Sequence, residues 1–171
     1  MIKLGLIGNP ISHSLSPGIH QGFMKNERLE GSYELFELRY LPEEGLNKFM
    51  NSRKLIGLNI TIPFKQTVIE HLDEVDELAL ELNAVNTVVK KNNRLIGYNT
   101  DVYGIEKSLN SLSPHGKSAL IFGTGGAAHA VHYVLKKKGF ETRKFKRSQQ
   151  LVSAETLNFR TKILLGKKER F

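Results

Sequence analysis

Ser118-Ala-Leu-Ile-Phe122 runs into Gly123-Thr-Gly125-Gly126-Ala127-Ala128 and then into His129-Ala-Val-His132-Tyr-Val-Leu135-Lys-Lys-Lys138. The first stretch is a short apolar run of strand type, and the last carries apolar residues at helical spacing. The glycines between them permit a tight turn. A Gly123-x-Gly125-x-x-Ala128 spacing between strand and helix is the context in which such a turn holds a dinucleotide. The backbone approaches the pyrophosphate closely, and the helix N-terminus offers free amides and the positive end of its dipole. The same turn also serves packing alone in α/β proteins.

Downstream of that helix, 141–146 predicts a second strand, and Arg143-Lys144-Phe145-Lys146-Arg147-Ser148 closes it. An NAD site usually carries Asp or Glu there for the ribose hydroxyls. This stretch has no carboxylate and several basic residues, which suits a 2′-phosphate and favours NADP over NAD; a solvated basic strand end is the other reading. A further helix and a weak strand at 162–165 are expected beyond it. Upstream, Ser113-Pro114-His115-Gly116 marks a break, so the domain boundary is expected within 100–116.

The N-terminal part alternates strand-like and helical patterns, the signature of a parallel α/β architecture. Strands are expected at 2–7, 33–38 and 56–60, with a hairpin at 84–90 and 94–98 turning at Lys91-Asn92-Asn93 on one edge of the sheet. Helices are expected at 16–26, 42–52, 73–82 and 100–111. Ser16-Pro17 reads as an N-cap followed by proline at the first helical position. Pro63 is read as opening a helix with Lys65 in its first turn.

Polar clusters fall at these strand ends: Ser12-His-Ser14-Leu-Ser16, Asn59-Ile-Thr61-Ile-Pro63-Phe-Lys65, Asn83-Ala-Val-Asn86-Thr87 and Asn99-Thr-Asp101. Short hydrogen-bonding side chains converging from several loops suit a small hydroxylated ligand. A lysine at a helix N-terminus beside apolar groups would have a lowered pKa and could exchange a proton with a hydroxyl; an ordinary surface lysine is the alternative. Asp101 would orient it, or would simply complement the helix dipole. Ser14 and Ser16 suit a carboxylate, and Ser16 also suits a cap.

Charge and composition narrow the function classes. Residues 1–130 hold 13 Lys and Arg against 14 Asp and Glu, and residues 131–171 hold 12 against 3, so the net +8 belongs to the C-terminal part. A polyanionic ligand fits that surplus. Nucleic acid is not expected, because no aromatic-rich or recognition-helix motif accompanies the charge. No apolar stretch approaches a membrane span, no signal-peptide pattern opens the chain, and a cytoplasmic protein is expected. There are no cysteines, which excludes thiolate metal sites. His129 and His132 lack a third ligand, so no metal is expected.

Ser14-Leu-Ser16-Pro17, Asn59-x-Thr61-x-Pro63-x-Lys65, Asn83-Ala-x-Asn86-Thr87, Gly97-x-Asn99-Thr100-Asp101-x-x-Gly104 and Gly123-x-Gly125-Gly126-Ala127 together resemble the signatures of the shikimate dehydrogenases, in order and spacing, over residues 1–148. The resemblance implies reversible NADPH-dependent reduction of 3-dehydroshikimate to shikimate, in the pathway to chorismate and the aromatic amino acids. It implies an α/β fold: an N-terminal parallel-sheet substrate-binding domain at 1–100, a linker helix and boundary at 101–116, and a partial Rossmann-like NADP-binding domain at 117–171.

By the same resemblance Lys65 is the acid/base group and Asp101 its partner. Ser14 and Ser16 hold the substrate carboxylate, and Thr61, Asn86 and Asp101 hold ring hydroxyls. Gly123, Gly125, Gly126 and Ala127 face the cofactor, with Arg147 and Ser148 at the 2′-phosphate. Two departures stand out. Lys146 replaces the asparagine usual before that arginine, and the family continues well past Phe171. A quinate-directed relative and a non-catalytic ligand-binding fragment are therefore the alternatives, and a homodimer is the assembly left open.

Overall fold

The computed structural model describes residues 1–110 and 118–145, together with the backbone of 164–165. The chain divides into two compact units, Met1–Thr100 and Asp101–Phe171. Among the described residues no helix is long and apolar enough to cross a membrane.

The first unit is built on β1 (Ile2–Gly8), α1 (Ser16–Asn26), β2 (Gly31–Glu37), α2 (Leu46–Arg53), β3 (Gly57–Ile60), β4 (Glu74–Val75), α3 (Glu77–Glu81), β5 (Thr87–Lys91) and β6 (Arg94–Tyr98). Its sheet has the order β2-β1-β3-β5-β6-β4. The β1–β2, β1–β3 and β4–β6 pairs are parallel, whereas β3–β5 and β5–β6 are antiparallel. The expected hairpin forms, with Asn92 and Asn93 both at positive φ, as a tight turn between right-twisted strands requires. It is not at the sheet edge, however, because β4 pairs outside it.

Successive strand residues face opposite sides, and the core divides accordingly. Ile7, Leu58 and Ile60 join Phe49, Met50, Phe64 and Val68 on one side, while Leu6, Ile11, Met24 and Tyr33 cluster on the other.

Four local expectations are corrected. Leu15, in the right-handed helical region, occupies the N-cap position of α1, so Ser16 is not the cap. The Ser14 hydroxyl accepts from the Ser16 amide at 3.2 Å instead, which leaves the Ser16 side chain for other partners. Pro63 opens no helix: residues 62–66 form turns, followed by a short 3-10 helix at Thr67–His71. The stretch read as one helix at 73–82 is β4 followed by α3, with the Asp76 carboxylate accepting from Leu78 N at 3.1 Å. Tertiary pairing wins there: Leu95 N donates to Asp73 Oδ2 at 2.6 Å, and Asp73 N and Asp76 N donate to Leu95 and Gly97 carbonyls. α2 likewise starts later than expected, at Leu46, after Gly45 at φ +88°.

The second unit contains α4 (Asp101–Asn110), β7 (Ser118–Phe122), α5 (Gly126–Lys137), β8 (Glu141–Phe145) and β9 (Leu164–Leu165). Its three strands are parallel in the order β8-β7-β9. Buried Ala119, Leu120 and Ile121 of β7 and Ala130, Val131, Val134 and Leu135 of α5 supply its core. This is the strand–turn–helix–strand arrangement expected around the glycines. The break at Ser113–Gly116 and the helix expected after Ser148 lie outside the described residues.

Candidate functional site

The carboxyl ends of parallel strands are where open α/β sheets bind ligands. In the first unit, β1 leads into the loop carrying Ser14, β3 into Thr61, and β6 into Asn99 and Thr100. Because β5 runs antiparallel to β3, its leading residue Asn86 arrives at the same end. Backbone bonds lock this convergence: Thr61 N donates to Ile7 O at 2.9 Å, Ile60 N to Asn86 O at 2.8 Å and Val85 N to Lys65 O at 2.7 Å. Ser14, Ser16, Thr61 and Lys65 are half-buried there, and Asn86 is buried.

Lys65 sits in the turn after β3 rather than at a helix N-terminus, so the dipole argument for its chemistry does not apply. Asp101 is half-buried and opens α4 in the second unit. Asn99 is structural: its buried amide donates to Ala84 O at 2.8 Å.

A continuous set of hydrogen bonds crosses this end of the first unit. Thr100 N donates to Asn86 Oδ1 at 2.9 Å, and the Thr87 hydroxyl donates to the same oxygen at 3.0 Å. Asn59 Nδ2 donates to Thr87 Oγ1 at 3.3 Å, and Tyr33 Oη donates to Asn59 Oδ1 at 2.7 Å. The Tyr33 ring stacks on His20, with centroids 4.3 Å apart.

The sequence placed Tyr33 in a strand and His20 in a helix without a role at the site, and Asn59, Thr87 and Thr100 entered only inside motifs. The available signal was a tyrosine at an inward position of a strand, since a buried phenol hydroxyl needs a partner.

Burial pushes the Tyr33 phenol from 10.0 up to about 12, with the Ser16 hydroxyl acting the other way. The folded chain therefore holds this proton between pH 10 and about 12 while the unfolded chain has lost it. Its contribution to stability is intact below pH 10 and falls by about 1.4 kcal/mol per pH unit above it. Urea midpoints measured from pH 9 to 11.5 should show this extra decline in the unmodified chain and not in Tyr33→Phe. Parallel curves would contradict it.

In the second unit Gly123 has φ +131°, which side-chain-bearing residues rarely adopt, and its amide donates to Phe145 O at 2.9 Å. A Cβ on Gly125 would point into open space, and no side chain caps the first turn of α5. The amides at Gly126 and Ala127 are thus presented without a competing cap, and the turn fits a phosphate-bearing cofactor. Arg147 and Ser148 lie outside the described residues. The His132 Nδ1 lies 2.8 Å from Thr142 Oγ1. Among the described residues no group of three or more His, Asp or Glu is arranged to hold a metal.

Residues 6–88 match the shikimate dehydrogenase substrate binding domain. The NADP(+) shikimate dehydrogenase of Oceanobacillus iheyensis is 43% identical over 151 residues, covering 84% of this chain and 54% of that protein. The chain belongs to the shikimate dehydrogenase family.

The shikimate dehydrogenase of Thermus thermophilus, solved with NADP(H) and shikimate, superposes with a TM-score of 0.74 at 36% identity, over 88% of this chain and 57% of that one. The quinate dehydrogenase of Corynebacterium glutamicum, solved with NAD, superposes at 0.72 with 31% identity, over 85% and 55%. The chain spans about half the length of the shikimate dehydrogenases it matches.

Proposed function

We propose that the chain serves the reversible, NADPH-dependent reduction of 3-dehydroshikimate to shikimate in the cytoplasm, with residues 1–100 holding the substrate, 101–116 linking and 117–171 contributing to the cofactor site. The observation that carries this reading is the convergence of Ser14, Ser16, Thr61, Lys65 and Asn86 at one end of the first unit's sheet. The uncapped glycine turn of the second unit supports it independently.

Ser14 and Ser16 hold the substrate carboxylate; Thr61, Asn86 and Asp101 hold ring hydroxyls. NADP, when bound, supplies the nicotinamide that exchanges a hydride with the substrate's carbinol carbon. In the oxidative direction the Lys65 amine takes the hydroxyl proton as the carbonyl forms, and in reduction the ammonium returns it. Asp101 is the partner of that acid/base group. Gly123, Gly125, Gly126 and Ala127 hold the pyrophosphate, and Arg147 and Ser148 the 2′-phosphate.

Shikimate-dependent reduction of NADP by the purified chain, followed by nicotinamide absorbance, tests this. The expected result is a shikimate-dependent rate. A rate growing faster than linearly with protein concentration would mark a homodimer as the working form. A folded chain that binds shikimate without turnover would make it a ligand-binding protein, and one that does not bind shikimate would refute the reading. The likeness to a quinate dehydrogenase holding NAD supports a second reading, which a higher kcat/KM for quinate and NAD would establish.

A further inference from the structure

We propose that Tyr33 is a positioning residue: its ring stacks on His20 of α1 while its hydroxyl leads through Asn59 to Thr87, Asn86 and Thr100, and so it sets the spacing between the serine end and the asparagine end of the substrate site. The identity of the ligand rests on the proposed function; the hydrogen-bond chain does not.

One backbone group fixes the direction of every bond. The Thr100 amide can only donate, and its bond to Asn86 Oδ1 at 2.9 Å turns Asn86 Nδ2 toward Thr100 Oγ1 at 3.0 Å. The Thr87 hydroxyl spends its proton on that same Oδ1 at 3.0 Å, so its oxygen accepts from Asn59 Nδ2 at 3.3 Å. Asn59 Oδ1 then faces Tyr33, whose hydroxyl donates to it at 2.7 Å. Strand register brings the links together: Asn59 pairs with Leu6 on β1 and with Thr87 on β5, and Tyr33 pairs with Leu4 on β1. All of these stand on the face that α1 covers.

The ring makes the anchor firm. Tyr33 is 7% exposed, and its plane lies 16° from that of His20, one helical turn beyond Ser16. Its ring thus engages α1 while its hydroxyl engages Asn59 of β3, and a shift of α1 relative to β3 would strain one contact or the other. Buried, mutually polarised hydrogen bonds of this kind act as a unit.

Tyr33→Phe keeps the ring and removes one hydroxyl. In the ligand-free 15N-labelled chain, the Asn59 and Asn86 side-chain amide signals and the Thr100 backbone amide signal should all shift. Calorimetric titration with shikimate should show about five- to tenfold weaker binding, the loss of roughly one net hydrogen bond. Thr87→Val cuts the same chain one link further on, and the double variant should bind no more weakly than the weaker single variant.

Unmoved Asn86 and Thr100 signals in Tyr33→Phe, shikimate affinity within twofold of the unmodified chain, or additive losses in the double variant would each overturn the proposal. Should Tyr33→Phe not fold, the same signals and affinity in Thr87→Val decide. An unmodified chain that fails to bind shikimate refutes the proposed function instead, and the resonance shifts still report whether Tyr33 is coupled to Asn86.

Discussion

Lys65→Ala is expected to cut shikimate-dependent NADP reduction by about 10²–10⁴, the range over which a positioned acid/base group acts, while shikimate affinity stays within a few fold. The split follows from where the chain puts this residue. Its backbone carbonyl accepts from Val85 N at 2.7 Å, and its neighbour Phe64 is buried in the core, so the main chain at 65 is held by groups that the substitution leaves in place.

The carboxylate and hydroxyl contacts assigned to Ser14, Ser16, Thr61 and Asn86 also remain. On the proposed reading, removing the amine therefore withdraws the proton acceptor without dismantling the pocket. Added methylamine should restore part of the rate, and the restored rate should rise with the free-amine fraction as pH increases. Turnover unchanged in Lys65→Ala, or shikimate binding lost together with turnover, would remove Lys65 from the acid/base role.

The residues that made the site legible were those with a local reason to be where they are. Gly123 answers to a backbone angle, Asn92 and Asn93 to a two-residue turn, and both could be read without knowing any distant partner. What went unread depends on pairing across the fold. The stretch from Asp73 to Leu82 has helical spacing, yet β4 forms there because Glu74 and Val75 find Ile96 and Gly97 beside them. The turn around Lys65 replaces a helix because the Lys65 carbonyl, which an α-helix would pair with Ile69 N, accepts from Val85 N at 2.7 Å, while Ile69 N donates to Gln66 O at 3.2 Å.

Tyr33 was hidden for the same reason: in a strand it reads as one more inward aromatic, and the partner that gives its hydroxyl a purpose is 26 residues away. The Ser16 reading failed by a single residue. Leu15 took the cap position, so a hydroxyl expected to serve the helix was released from it.

Gly8→Ala should be among the most damaging small substitutions in the chain, and its cost is argued from space rather than from glycine's flexibility. Gly8 ends β1, where its carbonyl accepts from Leu38 N at 3.1 Å. A methyl group there would collide with Thr61 Cγ2 and meet Ile11 Cγ2 at 2.7 Å and Ile62 O at 3.1 Å. None of these can move cheaply. Thr61 is branched at Cβ and tied by its amide to Ile7, Ile11 is buried with its amide donating to Glu37 Oε2 at 2.9 Å, and Ile62 O accepts from Asn9 N at 2.8 Å.

Overpacking of this kind costs about 1–3 kcal/mol, and the upper end is expected where every neighbour is anchored. The neighbours that must yield also carry the site: Thr61 itself, and the loop from Asn9 through Ile11 that leads to Ser14. Shikimate affinity should therefore fall more than tenfold in whatever fraction remains folded. Gly22→Ala is the matched control. It lies on the exposed side of α1 with nothing within 4 Å of the added carbon, and should raise stability by about 0.5–1 kcal/mol through helix propensity alone. Urea midpoints moving in opposite directions for the two variants would bear out the packing at the end of β1. A neutral Gly8→Ala would mean that Thr61 and the loop after β1 are not held as closely as these contacts require.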